Sequence, residues 1–232
     1  LAAFISAAGG ASVGQYGPLV HFGATMGSFL RRLTGGVLST DIFIGCGVAG
    51  AVAAGFNAPI AGIIFAHEAI LRHFSMRAIG PIAIASVSSV WFSERFFGTN
   101  HLFDFAAISI NLSEMLPAAL VAGPLFGLLA VCFMYAIRQS ARFAATSGWS
   151  FTQLVFTAAG VTGCVGMFVP QVLGLGTSTL NAILNGGIDT GFLVTLLVLK
   201  LILTALCIGF GMFGGIFSPA LFVGAAAGGL AG

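Results

Sequence analysis

The chain has 232 residues, 58% of them apolar and only 6% charged, with a mean hydropathy of +1.09. A soluble domain carries about 25% charged residues, so eight basic and six acidic side chains cannot dress a surface of this size. A soluble enzyme domain and a nucleic-acid binder, which needs a basic face, are excluded, and a net charge of +2 selects no partner. The solvent that fits is the bilayer: a multi-pass integral membrane protein surrounded by membrane lipid, with no nucleic-acid partner.

Charge-free stretches run over 1–30, 42–67, 115–137, 143–188 and 201–232, and about 20 apolar residues suffice for one crossing. Helices are expected over 1–13, 18–33, 41–55, 59–74, 76–97, 113–143, 150–169, 178–184, 190–208 and from Pro219 onward. No period-two amphipathic pattern recurs, so strands are not expected. The segment 98–112, with Asn100, His101, Asp104 and Asn111, reads as an extramembrane loop. Arg72, Arg77, Arg138 and Arg142 collect on one side of the crossings, and Arg95 with Glu94, Asp104 and Glu114 on the other; the arginine-rich side is then cytoplasmic. The chain starts without Met, shows no signal peptide and stops inside an Ala/Gly run, as a piece of a larger protein would.

Glycine and proline interrupt the apolar stretches at 14–18, 55–59 and 214–219. Lipid tolerates irregular backbone only where protein or a wet cavity covers it, so broken helices at mid-depth are expected, and in transporters these mark substrate sites. The 34 glycines also suit close helix packing. Cys46, Cys132, Cys164 and Cys207 lack any ligand spacing and read as small apolar residues, with a disulfide or metal framework as the alternative. There is no nucleophile elbow, paired carboxylates or zinc spacing: no enzyme, metal site or cofactor is expected.

Two of the interruptions repeat each other. Residues 14–24 and 215–225 both read Gly, two residues, a small residue, Pro, four residues, Gly, Ala, with Tyr16 and Phe217 two positions before the prolines. Pro18 and Pro219 suit the first helical position, where a missing N–H costs nothing, and Gly14 and Gly215 leave the preceding backbone uncrowded. First-turn amides have no intrahelical partner and carry the positive end of the helix dipole. Two such starts brought together would hold an anion with no cationic side chain, as inverted repeats allow. The alternative is chance recurrence in a glycine-rich membrane protein.

Three ordered stretches carry a resemblance to the CLC family of chloride channels and chloride/proton exchangers. They are Gly14-Gln-Tyr-Gly-Pro-Leu-Val-His21, Phe56-Asn-Ala-Pro-Ile-Ala-Gly-Ile-Ile-Phe-Ala-His-Glu68 and Gly214-Gly-Ile-Phe-Ser-Pro219. The resemblance spans essentially the whole chain. It implies an all-α integral membrane fold, an inverted-repeat bundle of tilted and broken helices, as one transmembrane domain over 1–232. Residues 1–112 would be the latter part of the first half and 113–232 much of the second. The family's upstream serine element and downstream pore tyrosine would lie outside this sequence. It further implies a homodimer with one anion pathway per subunit and chloride as the transported ligand. The amides of Ile216 and Phe217 would line the central site, and those of Gln15, Tyr16 and Gly17, with Phe217 and Ser218, the outer one.

The sequence departs from the family at both proton positions. The gating glutamate falls on Tyr16, whose phenol, with a pKa near 10, stays neutral at physiological pH. The inner proton glutamate falls on Ala69, one residue past Glu68. A passive or proton-uncoupled chloride pathway is therefore expected. The alternatives are a non-conducting protein plugged by Tyr16, with an assembly or regulatory role, and an exchanger using other proton carriers. Elsewhere, His67 and Glu68 with Arg72 and His73 read as a solvated helix-end group, and His21 as a residue facing packed helices. Lys200 reads as snorkelling to an interface, with added positive potential toward the pathway as the other option. Asn57 is expected to cap the following helix or satisfy broken backbone, and Thr177, Ser178 and Thr179 to cap another.

Overall fold

The computed structural model describes residues 2–35, 38–98 and 112–231; the expected loop over 98–112 therefore falls almost wholly outside the described residues. Every regular element among those described is helical. In chain order they are α1 (Ala2–Ala8), α2 (Tyr16–Leu33), α3 (Thr40–Phe56), α4 (Pro59–Phe65), α5 (Met76–Phe97) and α6 (Leu112–Thr146). Then come α7 (Phe151–Phe168), α8 (Thr177–Leu184), α9 (Thr190–Gly209) and α10 (Phe217–Ala231). A π-helical turn (Ala66–Leu71) extends α4, and a 3-10 turn (Pro170–Val172) follows α7. Stretches in α6 (Ala119–Thr146), α7 and α9 are long and apolar enough to cross a membrane, whereas α3 and α10 are shorter apolar helices. Of the described residues, 16–98 form one compact unit and 2–15 with 112–231 another.

In the unit 16–98, missing side chains let α2 and α3 touch backbone to backbone. A Cβ on Gly23 would strike the Gly47 carbonyl, and one on Gly27 the Phe43 carbonyl. This is how helices associate where lipid removes the hydrophobic drive between them. Ser86 and Ser89 on α5 donate to the Pro59 and Gly50 carbonyls at 2.7 and 2.8 Å, bonds that tie α5 to α4 and α3. Ile42, Ala49, Ala66, Leu71, Ala78 and Ile82 fill the space between. Asn57 does not cap α4. It ends α3 in the left-handed region (φ 52°), its N–H donating to Ala53, while Ala58 precedes α4 without a side-chain cap.

In the other unit, α8, α9 and α10 enclose Val172, Leu180, Leu196, Leu203 and Phe222. On α6, Leu120, Val121, Leu125 and Leu128 are exposed, a face suited to lipid. Three helices here end alike, with a glycine in left-handed conformation just past the end. After α1, Gly10 (φ 77°) donates to Ala7 and Ala11 to Ser6, at 3.2 and 3.0 Å. Gly186 and Gly187 do the same after α8, and Gly211 and Met212 after α9. This two-bond closure satisfies the last carbonyls of each helix. It corrects the expected first helix over 1–13, which stops at Ala8 because Gly9-Gly10 form its cap. The expected cap at 177–179 is corrected too: Gly176 precedes α8 in left-handed conformation, with no side-chain cap.

Ser150 opens α7 with a reciprocal pair: its Oγ accepts from the Gln153 N–H at 3.3 Å, and the Gln153 side chain accepts from the Ser150 N–H at 2.9 Å. Ser150→Ala removes one half of this box and should cost about 1 kcal/mol, read as a lowered melting midpoint of the intact protein in detergent.

Candidate anion site

Gly10 turns the chain out of α1, and residues 11–14 follow buried within the same unit, bent at Ser12 where the Val13 N–H donates to the Ala11 carbonyl at 2.8 Å. Ser12 is fully buried and its Oγ lies 3.2 Å from Thr204 Oγ1 on α9. Val13 fills the space left by Gly214, where a Cβ would strike its side chain. Gly14 and Gly215 then exchange hydrogen bonds, each N–H donating to the other's carbonyl at 2.6 Å. A Cβ on Gly14 would stand 2.9 Å from the Gly215 carbonyl oxygen and 3.1 Å from Ser218 N and Oγ. The closeness, not an unusual φ, is what requires glycine here.

The paired residues are the equivalent positions of the sequence repeat. A reciprocal bond between equivalent residues is the pattern a two-fold relation produces. Each is followed two residues later by a helix: α2 opens at Tyr16 and α10 at Phe217. Pro18 and Pro219 are thus third in their helices, not first as expected. The third position is still inside the first turn, where an N–H has no partner four residues back, so the proline costs nothing.

At α10, Ala220 N–H makes the first ladder bond, to Ile216 at 3.0 Å. The amides of Ile216, Phe217 and Ser218 lie ahead of that ladder. Ile216 and Phe217 are half exposed, while Ser218 is 5% exposed and its hydroxyl has no hydrogen-bond partner among the described residues. The first turn carries no acidic side chain, so nothing there offsets the roughly half positive charge of the helix end. Gln15, exposed, belongs to the same unit. Amide donors, a buried hydroxyl and a positive dipole end suit an anion.

Tyr16 and half-buried Gly17 belong to the unit 16–98. The Tyr16 ring is 6% exposed and stacks on Phe56, with centroids 3.9 Å apart and planes 23° from parallel. Gly55 makes room for it: a Cβ there would lie 3.3 Å from the ring edge. Sequence reasoning had picked out Phe56 as part of a motif without seeing that it holds Tyr16. Ser12 and Thr204 were missed entirely, since a lone serine and a lone threonine in apolar runs carry no pattern.

Three other expectations change. Lys200 does not snorkel: it is fully buried, and its Nζ donates to the carbonyls of Val172 and Gly174 at 2.9 and 2.7 Å. Those carbonyls are freed by the break between α7 and α8, so the ammonium finds its partners inside the protein. His67 is not part of a solvated group but fully buried, with Nδ1 3.0 Å from the Ile63 carbonyl and the ring stacked on Phe74. Glu68 and Ala69, its neighbours on the π turn, are exposed. His21 is exposed as well, since α2 turns Gly23 and Gly27 toward α3 instead.

The family model described as voltage gated chloride channel matches residues 1–232. The chain is 31% identical over 238 residues to the chloride channel protein ClcB-like of Ralstonia nicotianae, covering 96% of this chain and 53% of that one. It is 30% identical to the H(+)/Cl(-) exchange transporter ClcA of Vibrio cholerae, covering 93% and 48%. The chain thus spans about half the length of these curated relatives. The fold matches a slow cyanobacterial Cl-/H+ antiporter with a TM-score of 0.87 at 19% identity, over 98% of this chain and 54% of that one. The chain is therefore an all-helical integral membrane protein and belongs to the voltage gated chloride channel (CLC) family.

Proposed function

We propose that the protein carrying this chain moves chloride across the membrane passively, uncoupled from protons. The anion is held by backbone amides: those of Gln15, Ile216, Phe217 and Ser218, with Tyr16 and Gly17 following Gln15 directly along the chain. Support comes from the Gly14–Gly215 pair, which fixes the turns ahead of both helix starts to one another. Amides suit permeation because they replace part of the ion's hydration yet hold it less firmly than a buried cation in direct contact would. The inverted halves, 1–112 and 113–232, and a homodimer with one pathway per subunit belong to the same reading.

Uncoupling rests on the resemblance, which puts a phenol at Tyr16 and a methyl at Ala69 on the positions where the family's exchangers use carboxylates. Neither side chain exchanges protons near neutral pH. The relatives named as exchangers make the test direct. In liposomes holding the intact protein, an outward chloride gradient should drive chloride efflux with no accompanying pH change once the voltage is clamped. Proton movement in fixed ratio to chloride would replace this reading by an exchanger with other proton carriers. A second reading, a non-conducting protein, draws on the ring stack of Tyr16 and Phe56, which holds a bulky group rigidly at the gating position. Absence of any chloride efflux would favour it.

A further inference from the structure

Lys200 lies mid-way along the most apolar of the spanning helices, fully buried. Its Nζ has two backbone carbonyls as acceptors and stands 5.1 Å from the centre of the Phe222 ring. All three partners are dipoles or a ring face, and they solvate an ammonium without cancelling its charge. Asp189 is the one acid among the described side chains of this unit. It sits exposed at the N-cap of α9, about three helical turns before Lys200. Among the described side chains of this unit, none offers the buried ammonium a carboxylate.

Phe222 lies on α10, one helical turn past Ser218. A turn is about 5.4 Å and the phenyl group adds a few ångströms between ring centre and backbone, so the ammonium stands within about 15 Å of the amides that open α10. At that range a unit charge in partly buried surroundings changes the affinity for a monovalent anion about ten-fold. Lipid and protein screen it far less than water would. The same lysine also fastens the break between α7 and α8: Gly174, one of its acceptors, donates its own N–H to Gly10 at 3.2 Å, ahead of Ser12 and Gly14.

We propose that Lys200 is the fixed counter-charge of the anion site, raising anion affinity at the start of α10 through its charge and without touching the ion. This rests on the amide site proposed above, and extends it from the residues that contact the anion to one that does not.

The test measures chloride binding to the intact protein in detergent by titration calorimetry, beside the melting midpoint of each variant. Lys200→Gln and Lys200→Met remove the charge, the first keeping donors for the two carbonyls so that the fold has a second route to survive. Both should bind chloride about ten-fold more weakly, and Lys200→Arg should return affinity to within about three-fold of the original. Neutral variants that fold and bind chloride unchanged would overturn the proposal. So would an arginine variant as weak as the glutamine one, since the lysine would then act by geometry alone. If the unaltered protein binds no chloride, the amide site itself fails, an outcome distinct from either.

Discussion

Gly14→Val is expected to abolish chloride flux while leaving much of the protein folded. The added Cβ would face the Gly215 carbonyl oxygen at 2.9 Å and Ser218 N and Oγ at 3.1 Å. The Gly215 oxygen and Ser218 N are backbone atoms, so they cannot rotate away as the tip of a long side chain would. Relief has to come from separating residues 14 and 215, which breaks both reciprocal bonds. Two buried bonds contribute about 2 kcal/mol net, and overpacking adds about 1–3 kcal/mol. The helices themselves do not depend on the pair, so a drop in melting midpoint should accompany a protein that still inserts. Gly14→Ala should act in the same direction with smaller effect. Flux by Gly14→Val at the original rate would show that the pair does not shape the pathway.

Much of the fold was legible because lipid makes composition speak loudly. Charge-free stretches and the Gly-Pro interruptions placed α2, α3, α5, α7 and α9 within a few residues of their observed ends. Where the reading slipped, a short-range backbone geometry had outweighed hydropathy. The expected first helix ran to Val13 because 1–13 is free of charge throughout, yet Gly9-Gly10 close α1 at Ala8. Asn57 reads as an N-cap by residue type, and it takes the C-terminal left-handed role instead because Pro59 prevents α3 from continuing. Both were available in the sequence as punctuation, but hydropathy alone assigns no direction to a cap.

The candidate site divides differently. Its helix starts were readable from the repeated Gly-x-x-small-Pro pattern, because that pattern encodes a backbone requirement. What supports them was not readable. Ser12 meets Thr204 across 192 positions of sequence, and Lys200 meets the broken segment at Val172 and Gly174. A buried lysine and a snorkelling one look the same in sequence; only the fate of nearby carbonyls distinguishes them. Likewise, nothing in a lone tyrosine at position 16 announces that its ring has a partner in Phe56 and a recess at Gly55.

That recess sets up the second large effect. Tyr16→Ala is expected to raise chloride flux about ten-fold, equivalent to removing about 1.4 kcal/mol from the barrier. The ring acts by bulk in this account: it is neutral, buried and held flat against Phe56, so thermal motion rarely clears it from the gating position. Losing the ring also opens a cavity beside Gly55, and about 3 kcal/mol of stability should go with it. Tyr16→Phe separates bulk from chemistry, since it keeps the ring and its stack, worth about 1 kcal/mol, and removes only the hydroxyl. It should conduct within about two-fold of the original protein. If Tyr16→Phe instead slowed transport as strongly as Tyr16→Ala was meant to speed it, the hydroxyl would be a ligand and not an obstacle. Phe56→Ala tests the same account from the other side of the stack: freed from its partner, the tyrosine ring should spend more time away from the gating position, and flux should rise with residue 16 unchanged.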